Sequence, residues 1–167
     1  MTPHLNTELS WSEWVPFDEA LDRAPRKPGV YRTREQATGQ IVYIGMAGER
    51  RGSNNTPQGI RGRLAVYITG KALASGLGEA VLDRALADPE WLRGELAQLQ
   101  TSGASRAKQW GINALARANL EVRWTVTADA SSARALERRM VAGATNPLWN
   151  KTTAKSQDPR IDEGSDR

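Results

Sequence analysis

The stretch Gly29-Val30-Tyr31-Arg32-Thr33-Arg34-Glu35-Gln36-Ala37-Thr38-Gly39-Gln40-Ile41-Val42-Tyr43-Ile44-Gly45 decides the architecture. Two runs rich in Val, Ile, Tyr and Thr, over 30–34 and 40–44, flank a polar connection that ends in Gly39. β-branched and aromatic side chains suit a pleated surface, and a short polar link ending in Gly is a hairpin signal. Upstream, Ala24-Pro25-Arg26-Lys27-Pro28-Gly29 breaks regular structure. Before it lies an N-terminal arm carrying Trp11 and Trp14. A short helix is predicted there from Pro16 to Asp22, with Pro16 at its first position and Asp18 and Glu19 at the positive end of its dipole. Downstream, Gly48 to Gly59 is crowded with Gly, Ser, Asn, Thr and Pro and reads as a loop. A helix over Ile60 to Thr69 follows, stopped by Gly70.

From Lys71 to Leu120 the apolar residues recur at helical spacing: Ala80, Val81, Leu82 and Leu86, then Trp91, Leu92, Leu96 and Leu99. Asp88 caps a second helix begun by Pro89, and a third spans about Ser105 to Ala118. Glu121 to Thr127 alternates polar and apolar residues as a half-buried strand does, and Asp129 caps a last helix over 130–144. Pro147 to Asn150 packs back onto the domain. The order β-β-α, helical insertion, β-α predicts an α+β fold with a small three-stranded antiparallel sheet flanked by helices. The expected organisation is an arm over 1–27, one domain over 28–153 with an insertion at about 71–120, and a polar, disordered tail over 154–167.

Composition narrows the chemistry. The 167 residues include no cysteine and one histidine, His4. Thiolate zinc sites, cysteine hydrolases and Ser-His-Asp triads are thereby excluded together. Catalysis would have to run on Tyr, Arg, Lys, Glu, Asp or a bound metal. No apolar run reaches the length of a membrane span, and Met1 to Ser10 lacks a secretory pattern, so a cytoplasmic protein without membrane contact is expected. The formal net charge of +4 is unevenly spread. From Pro28 to Lys71, Arg32, Arg34, Arg50, Arg51, Arg61, Arg63 and Lys71 face only Glu35 and Glu49, a local +5. Such a stretch is either a solvated face or the electrostatic footprint of a nucleic-acid binder.

The hairpin, the helix after it and the last helix together resemble the GIY-YIG nuclease superfamily. Gly29-Val30-Tyr31 and Tyr43-Ile44-Gly45 are similar to the two motifs that name the family. Arg63 with Tyr67 four residues on resembles its helical Arg and His or Tyr pair. Glu137 stands where the family places a metal-binding carboxylate, and Pro147-Leu148-Trp149-Asn150 resembles its Pro-x-aromatic-Asn ending. The resemblance spans about Pro28 to Asn150, interrupted by the helical insertion.

It implies a metal-dependent endonuclease on DNA, of restriction, mobile-element or repair type. The implied catalytic set is Tyr31, Tyr43, Arg63, Tyr67, Glu137 and Asn150, with one Mg²⁺ or Mn²⁺ on Glu137. Arg63 offers a forked, permanent cation suited to phosphate oxygens, and Glu137 a hard oxygen for a largely hydrated divalent ion. Tyr31 would orient or deprotonate the attacking water, its pKa lowered by Arg63. Arg32, Arg34, Arg50, Arg51, Arg61 and Lys71 are the expected contacts to duplex DNA. One active site must act twice or pair in a homodimer to break both strands.

Several readings stay open at this level. Arg61 competes with Arg63, although only Arg63 has a tyrosine four residues on. Tyr67 serves either the site or the core edge, and Asn150 is expected to brace the site through backbone bonds rather than touch substrate. Trp91, Trp110, Trp124 and Trp149 read as core aromatics before base-stacking platforms. Met46 stands where many members have Lys or a small polar residue. That departure suits a nucleic-acid-binding module of the same fold with little cleavage.

Overall fold

The structure is a computed structural model and describes residues 9–151. His4 and the tail read over 154–167 lie outside the described residues. The predicted hairpin is present as β2 (Gly29–Glu35) and β3 (Ile41–Ala47), paired antiparallel with Tyr31 opposite Gly45. β4 (Leu120–Val126) returns along the other edge of β2, with Trp124 opposite Tyr31. The sheet has four strands rather than three, because β1 (Val15–Pro16) adds to β4 through Val15 opposite Val122 and gives the order β1-β4-β2-β3. Pro16 therefore ends a strand. The helix expected over Pro16 to Asp22 is instead a 3₁₀ turn at Phe17–Glu19 followed by the short α1 (Ala20–Arg23). Proline's fixed φ serves an edge strand as readily as a helix start, and pairing to a strand a hundred residues away leaves no local trace.

Each face of the sheet buries a different partner. Tyr31, Tyr43, Val122 and Trp124 join the larger core with Ile60, Leu64 and Tyr67 of α2 (Gly59–Ile68) and Leu77, Val81 and Ala85 of α3 (Gly76–Leu86). Val30 and Ile44 on the opposite face meet Ala133 and Leu136 of α6 (Ala130–Ala142). Asp129 caps α6, accepting the Ser132 N–H at 2.7 Å, as its position in the sequence predicts.

The insertion is three helices: α3, α4 (Pro89–Ser102) and α5 (Ala107–Ala118). The Asp88 carboxylate accepts the Glu90 and Trp91 N–H groups at the start of α4 and pairs with Arg117 of α5 at 2.7 Å. α4 has no buried residue, although Trp91 packs edge-on to Trp110 at 5.7 Å. Trp124 is buried in the core, and Trp149 lies under the Arg84 guanidinium at 4.2 Å. Among the described residues no helix is long and apolar enough to cross a membrane.

The arm is docked rather than loose. Trp11 and Trp14 interleave with arginines on the α6 side of the sheet: Arg32 lies 4.3 Å over Trp11, Arg34 4.3 Å over Trp14, and Arg123 between them at 5.0 and 4.6 Å. Ser12 donates its N–H to the Trp124 carbonyl at 2.8 Å, and its Oγ accepts the Trp124 N–H at 3.0 Å.

Candidate active site

Tyr31 sits at mid-sheet, 1% exposed, with its ring laid across β3. The space for it exists because its partner is Gly45. A Cβ there would run into the Tyr31 ring and hydroxyl. Tyr43 stacks on it with centroids 6.3 Å apart, and Tyr67 approaches from α2 at the same separation with a 59° tilt. The Tyr31 and Tyr67 hydroxyls share a hydrogen bond of 2.9 Å, and both Tyr43 and Tyr67 are at least nine-tenths buried. Tyr67 thus belongs to core and cleft at once, with Phe17 against its other edge.

The three rings form one wall of a cleft of about 430 Å³, lined by Tyr31, Tyr43, Gly45, Met46, Arg63, Tyr67, Ser75, Gly76, Arg134, Glu137 and Arg138. The turn into α3 closes over the hydroxyls. Gly76 has φ +57°, and a Cβ there would stand 2.7 Å from the Tyr67 oxygen and 3.2 Å from that of Tyr43. Only glycine meets both demands without strain.

Charge in the cleft is lopsided. Arg63 comes from α2, while Arg134, Glu137 and Arg138 share one face of α6, as residues three and four apart must. Glu137 is half-buried, and burial pushes its carboxyl above the ordinary carboxylate range. Arg134, Arg63, Arg138 and the Met46 backbone amide oppose that rise. Among the described residues none of these arginines is held in an ion pair.

The tyrosines correct one expectation. Proximity to Arg63 was expected to lower the Tyr31 pKa, yet the phenol is pushed well above its usual value. Burial is the main cause, followed by the neighbouring hydroxyls of Tyr67 and Tyr43, and the pull of Arg63 is the weakest influence. Tyr43 is raised for the same leading reason. An exposed guanidinium spends much of its field on water, whereas desolvation of a phenolate acts in full.

Of the remaining residues read from the sequence, Asn150 lies behind β3. It accepts the Ile44 N–H at 3.2 Å and donates to the Ile44 carbonyl at 2.6 Å, holding the strand between Tyr43 and Gly45. Arg50 and Lys71 line a second recess that shares Arg63 and Ser75 with the cleft. Arg51 is exposed in the loop and donates to the Asn55 carbonyl. Arg61 lines neither recess, and its N–H bonds the Pro25 carbonyl at 3.0 Å. Arg32 and Arg34 point to the opposite face, beneath the arm tryptophans, with Arg34 paired to Glu121 at 2.6 Å. Absent from the sequence-derived set are Arg134, Arg138, Ser75 and Gly76. For the two arginines a signal existed: once Ala133 and Leu136 form the buried stripe of α6, Arg134 and Arg138 must flank Glu137.

Glu137 is the one carboxylate in the cleft lining, and no cluster of three or more His, Cys, Asp or Glu occurs among the described residues. A lone carboxylate of this kind fits a divalent ion that keeps most of its waters and completes its shell with substrate oxygens, not a protein-caged metal. Family models, curated proteins and solved structures were each compared with the chain, and none of them matches it.

Proposed function

We propose that the chain is a metal-dependent DNA endonuclease with a GIY-YIG-type active site that hydrolyses phosphodiester bonds. The observation that carries this reading is the convergence of Tyr31, Tyr43, Arg63, Tyr67 and Glu137, from four separate elements, on one basic cleft. Phosphoryl transfer needs a placed water, neutral surroundings for the developing charge, and help for the leaving oxygen. Arg63, with Arg134 and Arg138 facing it, binds the scissile phosphate and takes up charge on its equatorial oxygens. Tyr31 keeps its proton at neutral pH. It therefore orients the attacking water as a neutral phenol, steadied by its bond to Tyr67, and does not act as a phenolate base. Glu137 would hold one Mg²⁺ or Mn²⁺, which when bound polarises the phosphate and stabilises the departing 3′ oxygen. Water adds to phosphorus as the P–O3′ bond breaks, the water's proton passes to solvent and the departing 3′ oxygen takes one up from solvent, so that the products are a 5′-phosphate and a 3′-hydroxyl.

Duplex DNA as substrate, a homodimer that cuts both strands and a cytoplasmic location belong to the same proposal. A second reading is a nucleic-acid-binding module with little cleavage. It is favoured by Met46 in the cleft lining, where a lysine would otherwise serve, and by the protonated tyrosines. Incubating the protein with supercoiled plasmid, with Mg²⁺, with Mn²⁺ and with EDTA, separates the two. Nicking or linearisation that EDTA abolishes is expected, and Glu137→Gln should remove it while leaving folding and DNA binding intact. Cleavage by Glu137→Gln at the normal rate, or in EDTA, would overturn the metal assignment, whereas binding without cleavage would select the module.

A further inference from the structure

A second recess of about 440 Å³ adjoins the cleft. Its lining includes Arg50, Gln58, Arg63, Val66, Lys71 and Ser75, with no carboxylate and no aromatic ring. Arg63 and Ser75 line both recesses and so form the saddle between them. Arg50 and Lys71 are exposed, and among the described residues neither is engaged by an ion pair. The two cations come from different segments, the loop after β3 and the turn after α2, and meet only here. The volume lies within the range of about 300–1,000 Å³ that holds small ligands.

We infer that this recess seats the sugar-phosphate backbone of the nucleotide next to the scissile phosphate. It rests on the phosphodiester chemistry proposed for the cleft. Unpaired cations without an opposing acid select an anion, and the absence of any ring removes base stacking as the means of recognition. What remains is a charge-assisted grip on a phosphodiester by one guanidinium and one ammonium, with Gln58 as a neutral hydrogen-bonding group beside them. The strand then passes from the recess over Arg63 into the cleft, and Arg63 touches the scissile group while Arg50 and Lys71 fix its register. Contacts of this kind position the strand and carry no base preference.

The test uses the full chain and oligonucleotide duplexes cut at a mapped position. In each, one phosphate adjoining the cut is replaced by an uncharged methylphosphonate. In wild type, neutralising the phosphate on one side is expected to slow single-turnover cleavage roughly tenfold, the order of one charge-assisted contact. The double variant Arg50→Gln/Lys71→Gln should be slow on unmodified DNA by a similar factor and indifferent to the methylphosphonate. Arg93→Gln, an exposed arginine of α4 that lines neither recess, should behave as wild type. A double variant that cuts normally, or that keeps the full methylphosphonate loss, overturns the assignment while leaving the nuclease reading standing. Should wild type bind DNA without cutting it, the nuclease reading fails and the recess is judged by binding alone. The slope of log Kd against log salt should then fall by about 1 to 2 in the double variant, and an unchanged slope overturns the recess.

Discussion

At the scale of single residues, the proposed phosphate contact falls to one of two arginines of α2. Arg61 and Arg63 sit on one short helix, but residues two apart point to different faces. Arg63 lines both recesses, whereas Arg61 lines neither and anchors the helix start through its backbone to Pro25. Loss of an electrostatic contact made mainly in the transition state costs roughly 3–4 kcal/mol, or about two to three decades in rate. Arg63→Ala should lower single-turnover cleavage by that order, and Arg61→Ala by about tenfold or less, through binding. Arg63→Lys should recover little, since an ammonium lacks the guanidinium fork. A larger loss at position 61 would place the phosphate on the wrong side of α2. The tyrosines mark how far such reasoning reaches from sequence. The family resemblance implied Tyr31, Tyr43 and Tyr67 as one set, but the upward shifts of Tyr31 and Tyr43 come first from burial, which only packing decides.

At the scale of elements, those built from local signals were legible, and those built from distant pairing were not. The hairpin, α2, the cap at Asp129 and the Asp88-Pro89 start of α4 were all readable, because turn chemistry, helical period and capping act within a few residues. Two-residue β1 has no period of its own, and Arg32 and Arg34 looked like free DNA contacts because nothing nearby in sequence announces the tryptophans that cover them. That cover is testable. Trp11 and Trp14 supply the faces on which three guanidinium groups stack, and the Nε atoms of Arg32 and Arg123 are buried without a hydrogen-bond partner. Trp14→Ala should cost about 1–3 kcal/mol through lost packing and cation–π attraction. The fall should be visible as a lower urea midpoint, with cleavage per folded molecule unchanged because neither Trp11 nor Trp14 lines the cleft. An unaltered midpoint would mean that the arm is not held by these rings, and a slower folded enzyme would mean that the arm acts on the cleft through α6, against which Trp11 packs.

At the scale of the whole molecule, charge placement matters more than total charge. A net +4 spread evenly over 167 residues would steer a polyanion weakly. Here Arg50, Arg63, Lys71, Arg134 and Arg138 border two adjoining recesses that hold one acid, Glu137. The +5 read between Pro28 and Lys71 is therefore reapportioned by the fold. Arg32 and Arg34 go to the far face, and α6 replaces them with two arginines from outside that segment. Each phosphate neutralised on B-DNA releases about 0.9 of a counterion, so five engaged cations imply a slope of log Kobs against log salt of about −4 to −5. Fluorescence anisotropy of a labelled duplex in EDTA, which isolates binding from cleavage, measures it directly. Arg134→Gln/Arg138→Gln should reduce the slope by nearly 2, and Arg32→Gln should leave it unchanged because that guanidinium is committed to Trp11. A flat salt dependence, or an equal loss from Arg32→Gln, would make the basic lining a solvated surface and shift the DNA to the opposite face of the sheet.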